Sequence, residues 1–293
     1  MRCKAFAFIL AVLALGSLAG AAAPPTHVKA TLLADVKQIV PGKPFHLGVM
    51  LEIDPGWHTY WLNPGDSGMA TKITLDLPKG FVAGDVQFPT PIKIVDPGNI
   101  NVYGYTDKVM FIATVTPDNS LAAGEADLSA KVSYLVCKDI CVPGHATPTL
   151  KLPVSAAGGD AGEANKQLFA DWAAQLPVPR VEAPWSLSQK FDPPKHSVRL
   201  DIVVPADKNA PLDVFPGPND DVNVEAEVNP GDLDLSAEFD VTLTITPLDG
   251  HAMPLVKLPV VLGFTNADHQ RRGIITEIDL SKLKPADSKP PHA

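Results

Sequence analysis

Between Ala126 and Val136 every second residue is apolar: Ala126, Leu128, Ala130, Val132, Tyr134 and Val136. Side chains of a β-strand point alternately to its two faces, so this run forms one apolar stripe only if the segment is a strand. A helix would spread the same residues around its circumference. Shorter alternations of the same period recur along the chain. Phe45, Leu47, Val49, Leu51 and Ile53 form one, Ile73, Leu75 and Leu77 another, and Val109, Phe111, Ala113 and Val115 a third. Beyond residue 185 come Val198 to Val204, Val222 to Val228 and Phe239 to Ile245. Thirty prolines and 21 glycines separate these runs, in turns such as Pro78-Lys-Gly80, Asn229-Pro-Gly231 and Leu248-Asp-Gly250.

The pattern predicts an all-β protein of two immunoglobulin-like antiparallel β-sandwich domains, joined by a linker with a short helix. The first sandwich is expected over residues 26–155 and the second over 185–283, with a disordered tail at 284–293. Residues 156–184 read as linker and helix. Asp160 with Glu163 resembles an N-terminal cap, Leu168, Trp172 and Leu176 share a face, and Pro177 and Pro179 end the helix.

The first residues have the layout of a secretory signal peptide. Arg2 and Lys4 precede an apolar stretch from Ala5 to Leu18, followed by small residues, which places cleavage near residue 22. The mature chain is then expected in the periplasm, without membrane insertion. A net charge of -9 argues against nucleic acid and anionic membranes as partners. No phosphate loop, nucleophile elbow or cofactor-binding motif is apparent, so no cofactor is expected.

Removal of the leader takes Cys3 with it and leaves Cys137 and Cys141 in the run Tyr134-Leu-Val-Cys-Lys-Asp-Ile-Cys-Val-Pro-Gly144. An exported pair favours a disulfide. The ring is so short that the chain-entropy model credits it with only about 2 kcal/mol. Short bridges at exposed turns exchange readily, which points to redox chemistry. Lys138 favours a thiolate beside it and Asp139 opposes one. By alternation, Cys137 falls on the strand face opposite Val132, Tyr134 and Val136. Two other readings of the pair stay open: a structural staple, and a metal site in which Cys137, Cys141 and His145 supply ligands suited to soft Cu(I) or to zinc. A further alternative is a non-catalytic docking module, for which Trp57, Tyr60 and Trp61 are core or edge aromatics.

Three blocks of the first domain resemble the N-terminal periplasmic domain of the thiol:disulfide interchange protein DsbD, and most closely the N-terminal region of its ScsB-type relatives, which are linked to copper tolerance. They are Pro55-Gly-Trp-His-Thr-Tyr-Trp-Leu-Asn-Pro-Gly-Asp-Ser-Gly68, Val102-Tyr-Gly-Tyr105 and Tyr134-Leu-Val-Cys-Lys-Asp-Ile-Cys-Val-Pro143. The resemblance implies an immunoglobulin-like domain whose cysteine pair, here Cys137 and Cys141, carries electrons from a thioredoxin-like or membrane donor to periplasmic thiol proteins. It implies a cap over the pair at Val102, Tyr103 and Gly104. Val102 stands where DsbD has a Phe, so any aromatic cap must come from Tyr103 or Tyr105. It also places His58 and Tyr60 beside the pair. The Cys-x-x-x-Cys spacing is tighter than in DsbD, and the span of the chain implies that the donor is a separate protein. For the second domain the likeness is one of layout.

Overall fold

The computed structural model describes residues 26–156, 158–182, 186–204, 212–230, 237–248, 254, 256–265 and 271–283. The expected leader and the tail at 284–293 lie outside these residues, as do Trp185, Gly231 and the Asp-Gly of the turn expected after Leu248.

Residues 26–154 form eleven strands: β1 (Val28–Ala34), β2 (Phe45–Ile53), β3 (His58–Gly65), β4 (Lys72–Asp76), β5 (Phe81–Ala83), β6 (Ile92–Asp96), β7 (Ile100–Thr106), β8 (Lys108–Pro117), β9 (Gly124–Cys137), β10 (Cys141–Ala146) and β11 (Thr149–Val154). They make two sheets, ordered β1-β2-β8-β5 and β10-β9-β3-β7-β6, with β11 and β4 flanking the other end of β9. The long alternation is β9 itself. Ala126, Leu128, Ala130, Val132, Tyr134 and Val136 are all buried in the core between the sheets, against Leu47, Leu51, Val109 and Phe111 of β2 and β8.

A helix, α1 (Lys166–Ala173), covers the outer face of the first sheet. Met50, Met110 and Ile112 on that face pack with Phe169, and Leu168 and Trp172 flank them. Gly48 makes the approach possible, since a Cβ there would stand 3.1 Å from the Phe169 ring and 2.7 Å from the Met110 sulfur. Two expectations for this helix need correction. Asp160 and Glu163 do not cap it. The N-cap is Asn165, whose side chain instead donates to the Ala34 carbonyl at 2.9 Å. Asp160 accepts from the Gly162 amide in its own loop, and Glu163 forms an isolated bridge with Val36, so this stretch is still tied to the sandwich. The helix also ends at Ala173, before either proline, so Leu176 lies beyond it and Phe169 is the buried anchor.

The remaining strands are β12 (Val178–Pro179), β13 (Ser186–Asp192), β14 (Ser197–Val204), β15 (Asp213–Pro216), β16 (Val222–Pro230), β17 (Ala237–Pro247), β18 (Lys257–Thr265) and β19 (Arg271–Asp279). They form sheets ordered β12-β19-β18-β15 and β13-β14-β17-β16. Val198, Leu200 and Ile202 face Leu258, Val260 and Leu262 in a second core, with Val241, Leu243 and Ile245. The strand pairs are antiparallel except for the short parallel β12–β19 contact. The fold is thus all-β with two sandwiches. Among the described residues no helix is long and apolar enough to cross a membrane.

Phe169→Ala should cost about 3 kcal/mol by emptying the site under α1. Urea unfolding measures this, and a loss below about 1 kcal/mol would mean that the helix is not anchored there.

Candidate redox site

The pair closes the hairpin between β9 and β10. Cys137 and Cys141 are direct register partners, joined by a disulfide with an S–S distance of 2.02 Å across the loop Lys138-Asp139-Ile140. The two sulfurs' residues have unlike surroundings. Cys137 is 1% exposed, whereas Cys141 is exposed and Ile140 between them is 65% exposed.

Alternation places Cys137 where the sequence puts it, off the stripe of Val132, Tyr134 and Val136. On that other face it meets a small cluster of its own with Tyr60 and Val102, flanked by Ile94 and Leu135. Strand β3 supplies the polar part. His58 pairs with Cys137 across the β3–β9 ladder, and Tyr60 pairs with Gly104 across β3–β7. Residues two apart share a face, so His58 and Tyr60 both point at the buried sulfur's side. The Tyr60 hydroxyl donates to Cys137 Sγ at 3.1 Å, and His58 Nε2 lies 3.2 Å from that hydroxyl. With its proton committed to sulfur, the Tyr60 oxygen is left to accept. The hydrogen-bond pattern therefore assigns the imidazole hydrogen to Nε2. Asp96, at the end of β6, brings Oδ2 to 3.8 Å from the same nitrogen.

Burial pushes the His58 pKa down, partly opposed by the Asp96 carboxylate. Burial pushes the Tyr60 hydroxyl up, with Asp96 adding to it. Both groups are thereby held neutral, as a hydrogen-bond chain from Nε2–H through the phenol to sulfur requires.

Two glycines make the approach possible. A Cβ on Gly104 would overlap the Thr59 carbonyl, so β7 lies close on β3. Gly68, at φ +107°, lies against the Tyr60 ring, where a side chain would collide. Asp66 in the same loop ties down the start of β7. Its amide donates to the Asn101 carbonyl and its carboxylate accepts from the Asn101 amide, both at 2.9 Å.

The expected site residues thus divide. His58, Tyr60, Val102 and Gly104 gather around Cys137. Tyr103 and Tyr105 do not, because odd positions of β7 face the other way. Tyr103 packs edge-on against Phe215 of the second sandwich, with ring centroids 5.1 Å apart. Tyr105 is in the core, donating to the Pro89 carbonyl at 2.7 Å and stacked edge-on with Phe111. The cover over Cys137 is therefore aliphatic Val102, held in a strand rather than a loop. His145 also stands apart. It is exposed on β10, and the step of four positions from Cys141 to it spans about 13 Å of strand. That distance does not fit a shared metal ion, and among the described residues no group of His, Cys, Asp and Glu could hold one.

Sequence reasoning missed Asp96 and gave Asp66 and Gly68 no role at the site. Nothing local marks Asp96, which reaches His58 only through the β6–β7 hairpin. The resemblance included Asp66-Ser-Gly68 in its longest block, and that was the available signal.

Because the folded state holds His58 below its usual 6.5, the unfolded chain takes up this proton first. Stability contributed by neutral His58 is present above about pH 6.5 and is lost as pH falls below it. Between about pH 7 and about pH 5 the wild type should lose more unfolding free energy than His58→Gln. Equal losses in the two proteins would contradict this account of His58.

Residues 29–153 match the family model described as thiol:disulfide interchange protein DsbD, N-terminal. Among solved structures, the N-terminal periplasmic domain of ScsB from Proteus mirabilis superposes with a TM-score of 0.61 at 17% identity, covering 88% of this chain and 96% of that one. A marsupial T cell receptor aligns over 88% of this chain and 99% of its own at 8% identity, with a TM-score of 0.20 that carries no argument. No curated protein sequence matches the chain. The first sandwich is therefore similar in sequence to the N-terminal domain of the thiol:disulfide interchange protein DsbD, and the two-sandwich fold is similar to that of the ScsB N-terminal periplasmic domain.

Proposed function

We propose that this is a periplasmic thiol-disulfide exchange protein. It passes reducing equivalents from a membrane or thioredoxin-like donor to periplasmic thiol proteins through Cys137 and Cys141. The observation that carries the reading is the asymmetry of the bridge: an exposed Cys141 joined to a Cys137 that is buried and accepts a hydrogen bond from Tyr60. The expected leader peptide and the match to the DsbD N-terminal model support the compartment and the chemistry.

The asymmetry supports the following order of steps. A donor thiolate attacks Sγ of Cys141, the S–S bond breaks, and its electron pair leaves on Cys137 Sγ. The Tyr60 O–H stabilises that thiolate, and a better-stabilised leaving sulfur departs faster. The donor's second thiolate then attacks the donor sulfur of the mixed disulfide. This releases Cys141 as a thiolate and leaves the donor oxidised. In the onward half, the Cys141 thiolate attacks an acceptor disulfide. Cys137 then attacks Cys141 Sγ, which frees the acceptor as a dithiol and restores the bridge. Ile140, exposed between the cysteines, offers the partner an apolar contact beside the attacked sulfur.

Equilibration with glutathione or dithiothreitol, read by thiol alkylation and mass, should give a midpoint of roughly -270 to -120 mV. Cys137→Ser should accumulate mixed disulfides through Cys141, and Cys141→Ser should not. A midpoint well below about -300 mV would make the bridge a structural staple and end the redox reading.

A further inference from the structure

The second sandwich touches the redox domain at the strands that carry Tyr60 and Val102. Phe215 of β15 is fully buried, although it belongs to the second sandwich, and it joins the core cluster of the first. Its ring meets Trp61 of β3 with centroids 6.1 Å apart and Tyr103 of β7 at 5.1 Å. Trp61 follows Tyr60 and Tyr103 follows Val102. In a strand, neighbours point to opposite faces. Phe215 thus presses on the back of the two strands whose front faces enclose Cys137.

The backbone ladder is weakest at this point. The β3–β7 register runs from His58↔Thr106 to Tyr60↔Gly104 and resumes only at Gly65↔Val102, with an irregularity between. Trp61, Leu62, Asn63 and Pro64 have no partners on β7. The second sandwich fills this gap. Beside the Trp61–Phe215 contact, Asn63 Nδ2 donates to the Pro216 carbonyl at 2.9 Å, and Asn63 Oδ1 accepts from the Gly65 amide at 3.0 Å. Phe215 is itself held. Arg271 lies over its ring, with Cζ 5.4 Å from the centroid, pairs with Asp213 at 2.7 Å and donates to the Pro91 carbonyl of the first sandwich at 2.8 Å.

We infer that the Phe215–Pro216 segment of the second sandwich is a positioning element of the redox site. It pins the irregular part of β3 so that the Tyr60 hydroxyl stays on Cys137 Sγ. This rests on the exchange chemistry proposed above and gives the second sandwich a part in it. Close packing transmits such a displacement, because buried strands have no free volume to absorb it.

The test uses the full chain and dithiothreitol as the reductant. Reduction rates of the Cys137–Cys141 bridge are compared with the thiolate titration of the reduced pair, followed by ultraviolet absorbance. Tyr60→Phe is the reference, expected to slow reduction about tenfold and raise the Cys137 thiol pKa, since it deletes a hydrogen bond to a charged sulfur. Phe215→Leu and Asn63→Ala should each slow reduction by about three- to tenfold and shift the titration the same way, as expected for weakening that bond. In a Tyr60→Phe background both should have little further effect. Asn63→Ala removes no core volume and serves if Phe215→Leu fails to fold. Should Phe215→Leu and Asn63→Ala lower the melting temperature yet keep wild-type rates and titration, the segment only stabilises and the inference falls. Effects that add fully to Tyr60→Phe would overturn it as well. If Tyr60→Phe itself reacts like wild type, the fault lies in the proposed chemistry of the site.

Discussion

The structure depends on the two-sidedness of strand β9. Its even positions from Ala126 to Val136 hold the first core together, so the strand cannot slip by one residue without turning that whole stripe to solvent. The core thereby dictates the register, and the register dictates that Cys137 emerges on the other face. Every contact of the redox site inherits this constraint. His58 pairs with Cys137 because β3 lies beside β9, and Tyr60 reaches the sulfur because it shares a face with His58.

From that placement comes an unequal bridge. A disulfide between two equivalent cysteines would offer a partner either sulfur. Here one sulfur is enclosed by Tyr60 and Val102, and the other belongs to an exposed residue at the hairpin end. In the proposed exchange the buried sulfur becomes an anion, which is costly unless hydrogen bonds meet it. The phenol of Tyr60, kept neutral by burial and backed by His58, meets it. The cover over the pair is a valine inside a strand, so the protection of Cys137 comes from packing in a sheet.

The second sandwich makes more than a tethered contact with the first. Arg271 is 8% exposed, and its guanidinium is desolvated, which lowers its pKa against the pull of Asp213. A buried cation is tolerated only when paired and hydrogen-bonded. Arg271 meets both needs with Asp213 and with the Pro91 carbonyl. The pair with Asp213 lies within the second sandwich, and the bond to the Pro91 carbonyl ties Arg271, and the Phe215 ring beneath it, to the first.

By itself the sequence determined the all-β class, the two sets of alternating strands and the face on which Cys137 lies, which follow from period-two patterning and turn residues that act over a few residues. The neighbourhood of His58 and Tyr60 was implied only by the resemblance to the DsbD N-terminal domain. Only the tertiary structure decided which cysteine is enclosed, that Val102 covers it while Tyr103 and Tyr105 turn away, that His145 stands apart, and that Asp96 and Gly68 belong to the site. It also decided that Phe169 anchors the helix and that Phe215 crosses from one sandwich to the other. Most of these depend on packing between elements far apart in the chain, and such a contact leaves no mark in the residues beside it.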